Sequence, residues 1–161
     1  MIYILTGDIR TGKTSALSDW VSGRTDVDGL LCPDGKKGKR YFLKIKSKEE
    51  LELEVELESE KTITIGPFHF LKSAFENANK FLIALSAKKE SQYLIIDELG
   101  KLELQHKGLH SAAIKLIPDY VYNDSKHLII VARTSLLEAI INQYQIKAYT
   151  LHTEENLKTI A

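Results

Sequence analysis

A phosphate-loop motif near the N-terminus constrains the fold of this chain more than any other segment. Residues Gly7 to Thr14 read Gly-Asp-Ile-Arg-Thr-Gly-Lys-Thr, a full match to the pattern G-x-x-x-x-G-K-[ST]. Such a loop lies between a strand and a helix, because converging backbone N–H groups and a helix N-terminus together attract phosphate. The apolar run Ile2–Leu5 precedes the motif, and the face Ala16, Leu17, Trp20 and Val21 follows it. The sequence therefore predicts strand, loop and helix over residues 2–21.

Two further apolar runs and one amphipathic stripe predict an α/β fold. Tyr93–Ile96 and Leu128–Ala132 are uninterrupted apolar runs of strand length, which is typical of parallel strands covered by helices on both faces. Seven apolar residues recur at helical spacing between the first strand and these two: Leu71, Ala74, Phe75, Ala78, Phe81, Leu82 and Leu85. We expect a mainly parallel sheet wound by helices, in a single domain over residues 1–161, since this length suits one domain.

A basic block is followed directly by an acidic block. Residues 36–48 contain seven lysines or arginines and no acid, and residues 49–60 contain seven glutamates and no base. Both blocks alternate with apolar residues, and a period of two indicates strands. We therefore predict an inserted antiparallel β-hairpin over about residues 28–66, with its turn at Ser47–Glu50 and its lysines facing its glutamates. A charged docking surface is the alternative interpretation of the same pattern.

The composition excludes several functional classes. The chain has 22 Lys+Arg and 22 Asp+Glu, so its formal net charge is zero, which makes nucleic-acid binding an unlikely function. Its longest apolar runs, such as Leu128–Ala132, have five residues and are far shorter than the roughly 20 residues that span a bilayer. The segment Met1–Leu5 has no basic region of the kind that opens a secretory signal, so we expect a cytoplasmic location and no membrane partner. No feature identifies a protein partner.

The phosphate-loop motif also assigns chemical roles. Lys13 is expected to reach the β- and γ-phosphates of a nucleotide, and the Thr14 hydroxyl is expected to bind Mg²⁺. The predicted nucleotide-binding residues are Gly7, Asp8, Ile9, Arg10, Thr11, Gly12, Lys13, Thr14 and Ser15.

A pair of acids supplies the second element that such a site needs. Asp97 and Glu98 follow the run Tyr93–Ile96 directly. Parallel strands end at one edge of the sheet, where ligands bind, so we expect this strand to neighbour the strand before the phosphate loop. Asp97 is then the predicted second Mg²⁺ ligand. Glu98 is the predicted catalytic residue that orients or deprotonates an attacking water.

At this point the residues resemble a known family. Asp97 to Leu104 read Asp-Glu-Leu-Gly-Lys-Leu-Glu-Leu, which is similar to the D-E-x-G-K-x-E-L signature of the small P-loop nucleoside-triphosphatases related to the cancer-related nucleoside-triphosphatase. The basic Gly-rich segment near residue 35 and the closing Thr153–Asn156 resemble the same family more loosely. The resemblance implies a P-loop NTPase fold and Mg²⁺-dependent hydrolysis of nucleoside 5′-triphosphates, ATP and GTP among them, with little base selectivity. It places Lys101 and Glu103 in or just behind the site, or else as partners on the surface.

The chain departs from this family in its arginines. Relatives have a glycine where Arg10 stands, and they have a hairpin arginine that the segment Cys32–Gly38 lacks. An arginine near the γ-phosphate accelerates phosphoryl transfer by several orders of magnitude. Arg10, Arg40 and Arg133 are the candidates for this role. We favour Arg133 as the catalytic residue, because it ends the run Leu128–Ala132 at the expected nucleotide edge.

Two other functions remain open from the sequence alone. A nucleoside or nucleotide kinase shares the phosphate loop but passes the phosphoryl group to an acceptor, and the basic hairpin would serve as its lid. A nucleotide-dependent switch would bind nucleotide tightly and act through a partner.

Overall fold

The computed structural model describes residues 1–8 and 12–161. Its helices are α1 (Lys13–Val21), α2 (Lys72–Lys88), α3 (Lys101–Leu104), α4 (His110–Tyr120) and α5 (Leu137–Gln143). Its strands are β1 (Ile2–Gly7), β2 (Val27–Leu31), β3 (Tyr41–Lys44), β4 (Glu50–Glu52), β5 (Glu54–Val55), β6 (Thr62–Ile65), β7 (Phe68–Leu71), β8 (Tyr93–Ile96), β9 (His127–Arg133) and β10 (Thr150–His152).

A seven-stranded sheet forms the centre of the molecule, in the order β10-β1-β9-β8-β2-β3-β4. The first five strands in this order are parallel, and β3 and β4 extend the sheet in antiparallel pairing. The expected α/β class with a mainly parallel sheet is confirmed. The expectation that β8 neighbours β1 is wrong, because β9 lies between them and pairs with both.

Helices cover both faces of this sheet, as the continuous apolar runs predict. Alternate residues of a strand point to opposite faces. On β8, Leu94 and Ile96 pack in the cluster that contains the buried faces of α2, α4 and α5. Tyr93 and Ile95 pack in a second cluster with α1 and the C-terminal Leu157 and Ile160. The inner strands β1, β8 and β9 are therefore buried on both sides, which explains their lack of polar alternation, whereas the edge strand β10 is largely exposed.

The insertion after the first helix differs from the predicted hairpin in its bounds. Val27–Leu31 pairs in parallel with β8, so this segment belongs to the central sheet and not to the insertion. The hairpin itself consists of β3 and β4, and Phe42 pairs with Leu51 at its centre. The rest of the insertion forms a separate antiparallel sheet in the order β5-β7-β6. The acidic run thus divides between two sheets at Leu53.

The opposite charges of the two blocks meet locally. Lys44 Nζ lies 3.1 Å from Glu49 Oε1. Glu54 is buried and accepts from Arg40 Nε at 3.3 Å, while Lys39 Nζ lies 3.6 Å from its other carboxylate oxygen. Lys44 therefore pairs with a glutamate of the hairpin as predicted, whereas Lys39 and Arg40 pair with Glu54 of β5 and tie the hairpin to the edge of the second sheet.

In the described part of the chain, no helix is long and apolar enough to cross a membrane.

Candidate active site

The described part of the phosphate loop is shaped for close backbone approach. Gly12 has a left-handed backbone with φ 90°, and a Cβ at this position would lie 3.0 Å from Glu154 Oε2, so a larger residue would be strained there. Lys13 begins α1 and is buried, and its Nζ donates to the carbonyl oxygens of Gly7 at 3.2 Å and Asp8 at 2.7 Å. The Lys13 ammonium is thus held over the loop. Ile9, Arg10 and Thr11, which the motif assigns to nucleotide binding, lie outside the described residues.

Two predicted metal ligands come together at the start of α1. Thr14 Oγ1 donates to Asp97 Oδ2 at 2.8 Å, and the same carboxylate oxygen accepts from the backbone N–H of Cys32 at 3.0 Å. Asp97 is only 2% exposed, and this burial raises its pKa to about 7, although both hydrogen bonds favour the charged form. Ser15, the next residue of the motif, is exposed on α1.

Glu98 and Arg133 form a second pair at the same edge. Arg133 Nη2 lies 3.4 Å from Glu98 Oε1, and the two side chains are 23% and 27% exposed. Arg133 ends β9, where it stands opposite Gly7 of β1 in the parallel register. Strand pairing therefore sets Arg133 beside the phosphate loop, although 126 residues separate it from Gly7 in the sequence.

Glu103 has a role that sequence reasoning left unresolved. Its carboxylate is buried and accepts from the backbone N–H groups of Gly100 and Leu109, each at 2.7 Å. Burial raises the pKa of Glu103 to about 7, against the effect of those two donors. Glu103 thus fixes the segment that follows Glu98 to the start of α4. Lys101 is exposed, and no ion pair links it to Glu103 among the described residues.

A cleft of about 180 Å³, open to solvent, adjoins the two carboxylates. Asp97, Glu98 and Arg133 line one end of it, and side chains of the insertion line the other. Four aromatic rings contribute to that second end: Phe42, Phe68, Phe70 and Phe75. Sequence reasoning placed Phe75 in the apolar stripe of a helix and missed the other three rings, although the alternation of Phe68 and Phe70 after Gly66-Pro67 is a hairpin signal.

Arg40, the second arginine candidate, lines the same cleft. Its guanidinium lies 4.8 Å from the ring centre of Phe70 and 5.1 Å from that of Phe68, and its Nε donates to Glu54. Arg40 is therefore already paired at the aromatic end, whereas Arg133 stands at the carboxylate end.

The oxygen donors of Thr14 and Asp97 suit a magnesium ion. Mg²⁺ prefers oxygen ligands and is usually bound by one or two carboxylates together with substrate phosphates and water. No group of three or more His, Cys, Asp or Glu side chains suited to a metal occurs in residues 1–8 and 12–161. A protein-only metal cage is thus absent from the described chain, and the two oxygens fit an ion that is shared with a nucleotide.

Comparisons with known proteins agree with this geometry. A family model described as NTPase matches residues 2–160. The crystal structure of THEP1 from the hyperthermophile Aquifex aeolicus is similar to this chain with a TM-score of 0.74 and 17% identity, over 99% of this chain and 94% of that one. At this identity the likeness establishes the fold, a P-loop NTPase fold. The comparison with curated proteins gives no match.

Proposed function

The chain belongs to the NTPase family, whose model covers residues 2–160, and from this premise we propose that it hydrolyses the γ-phosphate of nucleoside 5′-triphosphates in a Mg²⁺-dependent reaction. We further propose that ATP and GTP are both substrates and that the protein discriminates little between bases. Two contacts carry the proposal. Thr14 lies 2.8 Å from Asp97, and Arg133 lies 3.4 Å from Glu98, both at the edge of the sheet where the phosphate loop lies.

Substrate binding depends on the phosphate loop and Lys13. The Lys13 ammonium now donates to the carbonyls of Gly7 and Asp8, and it would exchange these acceptors for β- and γ-phosphate oxygens. Because an ammonium already buried in the site needs little further desolvation, this exchange favours a polyanion. Gly12 and the N-terminus of α1 add backbone N–H groups and a positive dipole end.

Thr14 and Asp97 would hold the magnesium ion. The ion would neutralise charge that develops on the β- and γ-phosphate oxygens. Asp97 is kept in position by the Cys32 N–H, so the carboxylate does not need to reorient when it changes partner from the Thr14 hydroxyl.

Glu98 and Arg133 would act on the attacking water and the transferred phosphoryl group. The water oxygen bonds to the γ-phosphorus, its proton passes to the Glu98 carboxylate, and the bond to the β–γ bridging oxygen breaks so that the diphosphate leaves. Arg133 pairs with Glu98, and it would balance charge on the γ-phosphate in the transition state. The Gly100–Glu103 hydrogen bond fixes the segment after Glu98, which supports a constant geometry for the base.

A phosphate-release assay tests this proposal. Purified protein is mixed with ATP, GTP, CTP or UTP, with Mg²⁺ or with a chelator in excess. We expect free phosphate from all four nucleotides with Mg²⁺ and none with the chelator. Turnover of a single nucleotide would contradict the broad selectivity. Tight nucleotide binding without release of phosphate would contradict hydrolysis and favour the switch.

The remaining expectations from the sequence concern domain organisation, location and binding partners. We propose one domain over residues 1–161, a cytoplasmic location and a small-molecule nucleotide as the binding partner, without a role in nucleic-acid binding. The match of the family model to residues 2–160 supports the first of these.

A further inference from the structure

The aromatic side chains of the cleft beside Glu98 are not used in the proposed hydrolysis of a triphosphate. A water molecule that attacks phosphorus needs only a small polar space, whereas this cleft has a volume of about 180 Å³ and is lined largely by apolar side chains. Open clefts lined by aromatic and apolar side chains with a few polar groups typically bind small organic molecules. None of the described phosphate-loop residues lines it, so it lies beside the phosphate site and not over it.

The aromatic rings of the cleft differ in their exposure to solvent. Phe70 and Phe75 are buried, and their rings meet edge to face with centroids 6.2 Å apart. Phe68 is 37% exposed and stacks on Phe70 with centroids 6.3 Å apart and an angle of 24° between the rings. Phe68 lies in the lining of an apolar cleft, and its exposed face is suited to stacking on a flat ring. Arg40 adds a fixed guanidinium beside the same two rings.

The opposite end of the cleft is the reactive end. Glu98 and Arg133 line it, and Asp97 lies beside them. Attack on the γ-phosphorus comes in line with the leaving oxygen, hence from the side opposite the β-phosphate. The phosphate loop would hold the β-phosphate, and Glu98 would then meet the attacking oxygen.

We propose that this cleft binds a second substrate, a nucleoside, whose base stacks at Phe68 and whose hydroxyl replaces water as the acceptor of the γ-phosphoryl group. A nucleoside combines a flat ring for the aromatic end, polar ring atoms for Arg40 and a primary alcohol about one sugar away for Glu98. The inference rests on the same phosphate site as the proposed hydrolysis and extends it by an acceptor.

The transfer step is balanced without any further reactant. The nucleoside hydroxyl oxygen bonds to the γ-phosphorus, and its proton passes to the Glu98 carboxylate. The bond between the γ-phosphorus and the bridging oxygen breaks, and the diphosphate leaves with the electron pair. The products are a nucleoside diphosphate and a phosphate monoester, with no free phosphate.

Product counting by ³¹P NMR tests the inference. The full-length protein is incubated with Mg-ATP alone and with added adenosine, guanosine, cytidine or thymidine, and ADP, free phosphate and phosphate monoester are measured separately. Without nucleoside we expect ADP and phosphate in equal amounts. With at least one of the four nucleosides we expect ADP in excess of phosphate, and the excess should equal the new monoester.

Two variants link this transfer to the cleft. Phe68→Ala removes the exposed ring, and we expect it to raise the nucleoside concentration for half-maximal transfer about tenfold, as loss of a stacking ring does elsewhere. The matched control is Tyr122→Ala, which removes a 75% exposed aromatic residue that does not line the cleft and should leave transfer unchanged. A melting temperature for each variant confirms that it is folded.

The outcomes separate the two proposals. If ADP and free phosphate stay equal with all four nucleosides, the acceptor is overturned while hydrolysis stands. If no ADP forms under any condition, the proposed hydrolysis fails as well. If the Phe68→Ala variant transfers phosphate at the wild-type rate at every nucleoside concentration, the nucleoside does not bind at the aromatic end of the cleft.

Discussion

Arg133→Ala should separate catalysis from stability in this protein. The ion pair with Glu98 is a single contact at 3.4 Å, and its side chains are 23% and 27% exposed. Solvent screens such a pair, so its loss should cost about 0 to 1 kcal/mol of unfolding free energy. For a domain of this size that corresponds to a melting temperature lower by at most about 4 °C.

The effect on turnover should be far larger. An arginine that balances charge at the γ-phosphate contributes about 10³-fold or more to kcat. We therefore expect kcat for phosphate release to fall by about three orders of magnitude, while ADP binding, which depends on the phosphate loop, changes little. The assay is steady-state phosphate release at saturating Mg-ATP, with ADP affinity from calorimetry and stability from urea unfolding of the same preparation.

Arg24→Ala is the matched control. Arg24 pairs with Asp26 in a contact of 2.8 Å with side chains 22% and 36% exposed, and its guanidinium lies 4.0 Å from the ring centre of Trp20. Its loss should therefore lower stability at least as much as the loss of Arg133, without lowering kcat. A kcat for Arg133→Ala equal to that of wild type would refute the assignment, and an equal fall for Arg24→Ala would mean that activity follows stability.

Three further outcomes follow from the same site. Lys13→Ala should abolish turnover and weaken triphosphate binding measured by calorimetry, because the ammonium that meets the phosphates is lost; unchanged turnover would remove this loop from the active site. Glu98→Gln should keep nucleotide affinity but lose phosphate release, whereas equal loss of both would reassign Glu98 to metal binding or folding. Asp97→Asn should keep the hydrogen bonds from Thr14 and Cys32 and raise the Mg²⁺ concentration for half-maximal turnover, so an unaltered Mg²⁺ dependence would exclude Asp97 as a ligand.

The elements that sequence patterns predicted are those that depend on residues close together in the chain. The strands β1, β8 and β9 follow from apolar runs, since strands buried on both faces tolerate no polar alternation. The α2 stripe follows from helical spacing, and Ala74, Ala78 and Leu82 from it are buried as expected. Family membership also followed from local motifs, the phosphate loop and the signature Asp97 to Leu104.

The features that sequence patterns missed depend on contacts between distant segments. An apolar run does not indicate which strand it pairs with, so the position of β9 between β1 and β8 could not be predicted from the sequence. The acidic run has the pattern of a single strand. In the structure, however, the Leu53 carbonyl accepts from the Leu71 N–H, and Glu54 pairs with Phe70. The second half of the acidic run therefore belongs to another sheet. The sequence left Glu103 either in or just behind the site or paired with Lys101 on the surface, and its burial depends on the backbone N–H groups of Gly100 and Leu109.

The sequence by itself determined the α/β class and the family, and it predicted the chemistry of the phosphate site. Those follow from residue types at fixed short spacings, such as Lys13 next to Thr14 and Glu98 next to Asp97. The tertiary structure decided which distant groups meet: Arg133 beside Glu98, Cys32 on Asp97 and the aromatic cleft beyond them. The physical reason is that strand order and the packing of the insertion depend on the burial of side chains far apart in the chain, which a local pattern does not encode.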